Sequence, residues 1–583
     1  MAFWNRRRSI DAMLAPQDGP RLKPTLSWPH LLALGVGAIV GTGILTLIGV
    51  GAGLAGPAVL ISFALAGLVC ACAALAYAEL STMMPTAGSA YTYSYAVLGE
   101  MIAWLVGWSL ILEYSLVVSA VAVGWSGYAV GFLSGLGVDL PLALSAGPHA
   151  GGVINLPAVA IIGVVTGLLL LGTKESATLN AVLVLIKIAA LVVFVAIALP
   201  AFETAHFTPF MPNGFGAPFV QTGVMAAAAI IFFAFYGFDA ISTAAEETKK
   251  PERDLAIGIV GSMLICTALY LVVAAAAIGA RPVPDFASSP EPLALILRQM
   301  GQGGAAQWIA AAAVVALPTV LLAFLFGQSR IFLGMARDGL LPRRLAKVSS
   351  RGVPAVVTVF TAVVVAVLAG LLPLDELASL ANAGTLAAFC AVGVCLIVLR
   401  LRDPSRKRVF KAPLWPVVGV VTVVGCVVFF LSLKPITQIG FVVWNVIGLL
   451  VYFLWSAHNS RLAKGLMARR DLSGAVDFTV LEAMTAGMDD VTEEVLGLFA
   501  EQARMWSAML DASSEGWRDA VHTIRGAGAG IGAKALAQVC EEVEFGEQSA
   551  AAAGLERVKT ALDAALADVA AYRHELALKS LKG

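Results

Sequence analysis

An all-helical (all-α) membrane protein with a separate C-terminal helical bundle is the fold class this sequence predicts, and three observations predict it. The 583 residues are 59% hydrophobic and only 13% charged, where soluble domains average about a quarter charged. The apolar residues gather into runs long enough to cross a bilayer core of roughly 30 Å. A soluble protein this apolar would expose large greasy patches and aggregate. The last fifth of the chain breaks the pattern, being acidic, free of proline from residue 471 and helical in its periodicity.

The apolar runs fall near 29–50, 57–78, 100–124, 153–172, 179–200, 220–243, 255–280, 306–328, 354–373, 376–399, 414–433 and 440–457. Twelve transmembrane (TM) spans would put both termini on one side. With the N-terminus cytoplasmic, the cytoplasmic segments through residue 470 hold 25 Lys and Arg, whereas the opposite loops hold three, Arg281, Arg298 and Lys434. The expectation is a multi-pass protein of the cell's inner (plasma) membrane, with residues 1–28 and the acidic tail cytoplasmic. The first 28 residues carry Arg6, Arg7, Arg8, Arg21 and Lys23 without the apolar core of a cleavable signal.

Zero net charge conceals an asymmetry. Residues 1–470 hold 29 basic and 19 acidic side chains, and residues 471–583 hold 9 and 19. The shift marks a domain boundary, read as a membrane domain over 29–460, a linker over 461–475 and a bundle over 476–583. Cys70, Cys72, Cys266, Cys390, Cys395 and Cys426 lie inside apolar runs and Cys540 in the tail, as buried small residues rather than a disulfide framework. No metal site, cofactor, enzymatic activity or nucleic-acid partner is expected.

The first span contains Gly35-Val36-Gly37-Ala38-Ile39-Val40-Gly41-Thr42-Gly43-Ile44-Leu45. Each glycine of its Gly41-Thr42-Gly43 core costs a helix roughly 1 kcal/mol. Unwound backbone inside a bilayer is tolerated only where it lines a cavity or is buried in protein. One reading is a discontinuous helix whose free N–H groups bind a carboxylate. The other is close helix packing through Gly37-xxx-Gly41. The sixth span tips the balance, because Gly237 and Asp239 interrupt the aromatic run Phe232-Phe233-Ala234-Phe235-Tyr236. Spans one and six are five apart, and matching breaks in two inverted halves point to a substrate site.

At these residues the sequence resembles the amino acid–polyamine–organocation (APC) superfamily, and its cationic amino acid transporter branch, over roughly residues 25–460. Further carriers are Ala87-Gly88-Ser89-Ala90-Tyr91-Thr92-Tyr93, Leu112-Glu113-Tyr114, Ala244-Ala245-Glu246-Glu247, Gly327-Gln328-Ser329-Arg330 and Arg337-Asp338-Gly339-Leu340-Leu341-Pro342. The resemblance implies a LeuT-like fold, a 5+5 inverted repeat plus two helices, and proton-linked or otherwise ion-linked uptake (symport) of amino acids. It implies that the substrate carboxylate meets backbone around Thr42 and Gly43. The ammonium would meet carbonyls near Ile39, Phe233, Ala234 and Tyr236, with Phe233 also a hydrophobic gate. Members of the family carry Tyr-Ile-Gly where this chain has Phe235-Tyr236-Gly237, so an aromatic at 236 could narrow the pocket and shift side-chain preference.

Lys187 lies deep in the fifth span, where a lysine costs roughly 2.5–3.5 kcal/mol and normally has a task. The resemblance implies an ammonium standing where sodium-driven relatives bind a cation, tying the first span to the eighth and coupling protons to gating. A lysine snorkelling to the cytoplasm is the bland alternative. Glu113, mid-span in the third helix, reads either as a proton carrier or as a structural acid bonded to its neighbours. Asp239 reads as a cap on backbone amides beside the break.

In the tail, Trp517, Val521, Ile524, Gly528 and Ile531 fall on one helical face. His522 lies off that face, with Arg525 at i+3 and Gly526 at i+4. A lone histidine is more often structural, but one beside a cation and small residues could accept a phosphoryl group, with Arg525 stabilising the added charge. His522-Thr523-Ile524-Arg525-Gly526 resembles the motif of histidine-containing phosphotransfer (HPt) domains, and Leu536 to Glu544 resembles their next helix. The resemblance implies a cytoplasmic four-helix bundle that exchanges phosphate with the receiver domain of another protein. Gly526, Gly528, Gly530 and Gly532 are more glycine than a helix wants.

Two functions fit these residues. One is a secondary active, proton-coupled amino acid transporter joined to a phosphorelay-type regulatory domain. The other is a sensor that binds an amino acid without moving it and signals through His522.

Overall fold

The computed structural model describes residues 6–7, 10, 26–85, 88–170, 177–245, 248–342, 355–460, 474–485, 488–514, 516–546 and 551–580. Ala87, Glu246 and Glu247 of the motif blocks lie outside the described residues, as do most of the 1–28 segment, residues 461–473 of the linker and residues 343–354 of the basic loop. The chain divides into two compact units, one ending at Ala457 and the other running from His458 to Gly583.

The first unit is helical over most of its apolar runs, because backbone polar groups in lipid must be satisfied within the segment. Its helices are α1 (Trp28–Ile39), α2 (Leu47–Ala55), α3 (Val59–Met83), α4 (Ser89–Val97), α5 (Glu100–Gly135) and α6 (Leu156–Leu170). They continue as α7 (Ala177–Ala198), α8 (Val224–Ile231), α9 (Phe238–Thr243), α10 (Pro251–Ala280), α11 (Pro292–Gln299) and α12 (Gly303–Ala316). The series ends with α13 (Pro318–Arg337), α14 (Ala355–Leu371), α15 (Leu374–Arg402), α16 (Trp415–Leu431) and α17 (Pro435–Val451). Among the described residues, eight helical stretches are long and apolar enough to cross a membrane, and four shorter apolar helices are α1, α6, α14 and α16.

Helix α5 is the axis of this unit. It packs against α13 and α15, while α10 packs against both α1 and α3. The predicted eighth run is two helices, because Pro318 has no N–H to give the carbonyl four residues back. Trp125 on α5 donates its indole N–H to that carbonyl, Val314 O, at 2.9 Å. Helix α17 is joined to α5 by a ladder of indoles. Trp108 donates to Trp444 O at 2.9 Å, Trp444 donates back to Trp108 O at 3.0 Å, and Trp104 donates to Gly448 O at 2.7 Å. The Trp108 and Trp444 rings stack at 4.7 Å. Where α15 ends, buried Glu79 of α3 accepts from Arg400 at 2.7 Å, Arg408 at 3.1 Å and the Ala412 N–H at 2.8 Å.

The second unit contains α18 (Phe478–Met484), α19 (Asp489–Met509), α20 (Trp517–Ile531), α21 (Lys534–Glu544) and α22 (Ala551–Ser580). The last four form the expected bundle, and α18 is an added short element. Their apolar faces close on one core that includes Leu496, Phe499, Val521, Ile524, Leu536, Cys540, Leu555 and Leu562. Phe478 and Tyr572 stack at 4.0 Å, fastening α18 to α22.

Candidate functional sites

Both glycine-marked spans are broken where the sequence marks them. Helix α1 stops at Ile39, and Val40 and Gly41 run extended before a single turn, Thr42–Leu45. Helix α8 tightens to a 3-10 turn over Phe232–Phe235, Tyr236 is extended, and Gly237 takes a φ of +109° before α9 begins. The two breaks cross in contact. A β-carbon on Gly43 would stand 2.3 Å from Ala234 Cα, and one on Gly237 would stand 2.8 Å from the backbone carbon of Ala38. Only glycine permits either approach, and Gly237 also needs its positive φ.

Broken helices leave backbone groups without partners, and specific side chains take them up. Lys187 Nζ donates to Gly37 O at 2.8 Å and to Thr319 Oγ1 at 3.2 Å, linking α7 to α1 and α13. The Tyr270 hydroxyl donates to Ile39 O at 2.7 Å, and the Tyr128 hydroxyl to Leu45 O at 2.6 Å. Asn382 Nδ2 donates to Ala229 O at 2.6 Å and Ile230 O at 3.2 Å. The Gly237 N–H donates to Asp239 Oδ1 at 3.2 Å, and the Tyr114 hydroxyl donates to Asp239 Oδ2 at 3.4 Å. Asp239 is therefore the amide cap expected of it.

Between the breaks lies a cavity of about 10 Å³, room for one water molecule. Of the residues named above as substrate contacts, Ile39, Thr42, Gly43, Phe233 and Tyr236 line it; Ala234 does not, being pressed under Gly43. Ala38, Gly41, Val117, Val121, Val320 and Phe324 complete the wall. None of these residues carries an ionisable group on its side chain save the Tyr236 phenol. Thr42 Oγ1, 1% exposed, has no hydrogen-bond partner among the described residues. Lys187 and Glu113 stand outside the wall. Lys187 is 4% exposed, so it is buried rather than snorkelling. Glu113 is 1% exposed, and neither carboxylate oxygen has a hydrogen-bond partner among the described residues.

Sequence reasoning passed over Tyr270, Asn382, Thr319 and the four apolar wall residues of α5 and α13. Asn382 had a signal, a polar side chain within the apolar run 376–399. Val117, Val121, Val320 and Phe324 had none, since lining residues of this kind look like core.

In the second unit, Trp517, Val521, Ile524, Gly528 and Ile531 are buried on one face of α20, and the His522 side chain is 64% exposed off it. Glu544 at the end of α21 meets both polar residues: Oε1 lies 2.7 Å from His522 Nδ1 and Oε2 lies 3.1 Å from an Arg525 nitrogen. Nδ1 is thus engaged, and the outward nitrogen Nε2 is the one a partner can reach. A β-carbon on Gly526 or Gly530 would meet nothing within 4 Å, so the helix surface around His522 is low and open. Burial pushes the Cys540 thiol up to about 12, with the Glu544 charge adding to it.

Residues 26–455 match the family model described as amino acid permease, and residues 482–570 match that of the Hpt domain. The chain belongs to the amino acid permease family and ends in an Hpt domain. The branched-chain amino acid permease BcaP of Bacillus subtilis is 47% identical over 463 residues, covering 78% of this chain and 98% of that protein. The methylthioribose transporter of the same organism is 42% identical, covering 79% and 99%. Cationic amino acid transporter 4, vacuolar, of Arabidopsis thaliana is 39% identical, covering 69% and 67%. The crystal structure of the histidine phosphotransferase ShpA from Caulobacter crescentus shares 55% identity over 18% of this chain and 99% of its own, with a TM-score of 0.17.

Proposed function

We propose that residues 29–460 form a secondary active, proton-coupled transporter for amino acids with neutral, apolar side chains, and that the 476–583 domain regulates it by phosphorelay. The crossed breaks of spans one and six, with a cavity between them, carry this reading. Free N–H groups at the start of the Thr42–Leu45 turn and the unpartnered Thr42 hydroxyl suit a carboxylate. Carbonyls of Ile39, Phe233 and Tyr236 suit an ammonium, and Ile39 O keeps a second lone pair beside the one that Tyr270 uses. A wall of Val117, Val121, Val320 and Phe324 suits an aliphatic side chain and would leave a cationic one without a counter-charge. The name of the Bacillus subtilis branched-chain permease supports the same class.

The architecture proposed is twelve spans in a LeuT-like 5+5 arrangement plus two, in the plasma membrane, both termini cytoplasmic. Lys187 and Glu113 are the coupling groups. The ammonium of Lys187 holds the end of α1 against α13 through charge-assisted hydrogen bonds, so losing its proton would weaken that tie. Glu113, 1% exposed on α5, is the buried carboxyl that would carry the proton. In the tail, His522 Nε2 attacks the phosphorus of a receiver domain's aspartyl phosphate. The N–P bond forms as the P–O bond to the aspartate breaks, while Glu544 holds the Nδ1 proton and Arg525 offsets the phosphoryl charge.

Uptake of labelled leucine, valine and arginine into proteoliposomes, with and without an inward proton gradient, tests the transport reading. Gradient-driven uptake of leucine and valine over arginine is expected; binding without uptake would leave the sensor in its place. Phosphate transfer from a phosphorylated receiver domain is expected to vanish in His522→Gln.

A further inference from the structure

Tyr236 is one of two residues, with Phe235, at which the break of span six departs from the resembling family, and it lines the cavity. Its ring packs against Phe233 at 5.0 Å and Phe232 at 5.9 Å, and its hydroxyl donates to Asn382 Oδ1. Asn382 is fully buried on α15 and donates through Nδ2 to Ala229 O and Ile230 O. One amide therefore holds the backbone of the break with its nitrogen and a wall of the cavity with its oxygen. A polar side chain in a membrane helix is costly and normally has a task.

The three aromatic side chains of the wall, Phe233, Phe324 and Tyr236, differ in what holds them. Phe233 and Phe324 have no polar side-chain atom to tie them, whereas the Tyr236 hydroxyl is anchored from behind. A cavity with room for one water admits a substrate side chain only if a wall moves. The untied rings of Phe233 and Phe324 are the walls that can move, and Tyr236 is the stop against which the side chain comes to rest.

We infer that Asn382 is a specificity-determining positioning residue: by fixing the Tyr236 ring it limits the apolar side chain the site accepts, favouring aliphatic over aromatic amino acids. This rests on the transport reading above. Tyr236→Phe removes the tie yet keeps the ring and both carbonyl bonds of Asn382. Asn382→Ala removes the tie from the other side.

The test is competing uptake of leucine and phenylalanine by the full chain in proteoliposomes, with kcat and KM resolved for each. Either single substitution is expected to raise the phenylalanine-to-leucine ratio of kcat/KM by about tenfold, the worth of a small change in an apolar pocket. The double variant is expected to go no further, since both remove one tie. A merely structural role for Asn382 would lower kcat for both substrates alike. Leucine uptake with an unchanged ratio in Tyr236→Phe overturns the inference, even where Asn382→Ala fails to fold. No uptake of either amino acid by the unaltered chain overturns the transport reading itself.

Discussion

Lys187 and Glu544 each make contacts that a single substitution can remove. Lys187→Ala takes away the donor that Gly37 O and Thr319 share, and is expected to abolish proton-driven uptake while leaving counterflow exchange measurable. Glu544→Gln keeps the hydrogen bond to His522 Nδ1 but loses its charge. Phosphoryl transfer is expected to slow roughly five- to tenfold, from the difference of about 1–1.5 kcal/mol between a charge-assisted and a neutral hydrogen bond, read by rapid quench of labelled phosphate. Cys540 offers a check on burial: with its thiol pushed up to about 12, almost no thiolate forms at neutral pH. Iodoacetamide is expected to leave it unmodified in the native tail and to label it after unfolding. At this scale the sequence told which polar residues were out of place, Lys187, Glu113, Asp239 and His522. It did not tell whom they touch. Tyr270 and Ile39 are 231 residues apart, and Asn382 and Ala229 are 153 apart; no local pattern encodes such pairings.

Among the elements, the breaks of spans one and six were legible because glycine and aspartate inside an apolar run contradict both helix propensity and lipid. Two helices were not. Helix α4, Ser89–Val97, is rich in tyrosine and serine, shows no apolar run and is nonetheless buried at every residue. Helix α11 is eight residues in a loop, too short for periodicity to register. The glycines of α20 give a graded test of packing. A β-carbon at Gly526 or Gly530 meets nothing, so alanine there is expected to add about 1 kcal/mol of stability. At Gly528 it would lie 3.2 Å from Leu536, and the gain should shrink or vanish. Thermal unfolding of residues 474–583 reads all three. If all three alanines destabilise alike, the glycines serve the fold of the helix and not the openness of its surface.

For the whole molecule, composition alone separated the two units, because the membrane part and the tail carry net charges of +10 and −10. Each unit has its own core, so ending the chain at residue 460 is expected to leave a folded, transport-competent protein whose uptake no longer responds to a phosphodonor. The ladder of Trp104, Trp108 and Trp444 carries a different consequence. The stretch Pro435–Asn459, which contains α17, is the least covered of the eight long apolar stretches among the described residues, whereas α5 is mostly buried and contributes Val117 and Val121 to the cavity wall. A helix that meets lipid along most of its length will tilt to match the thickness of the bilayer around it. Riveted by reciprocal indole bonds, it would pass that tilt to the wall of the site, so the lipid itself becomes an effector. Uptake in short-chain and long-chain vesicles should differ, and Trp444→Phe, which cuts one rung, should flatten the difference.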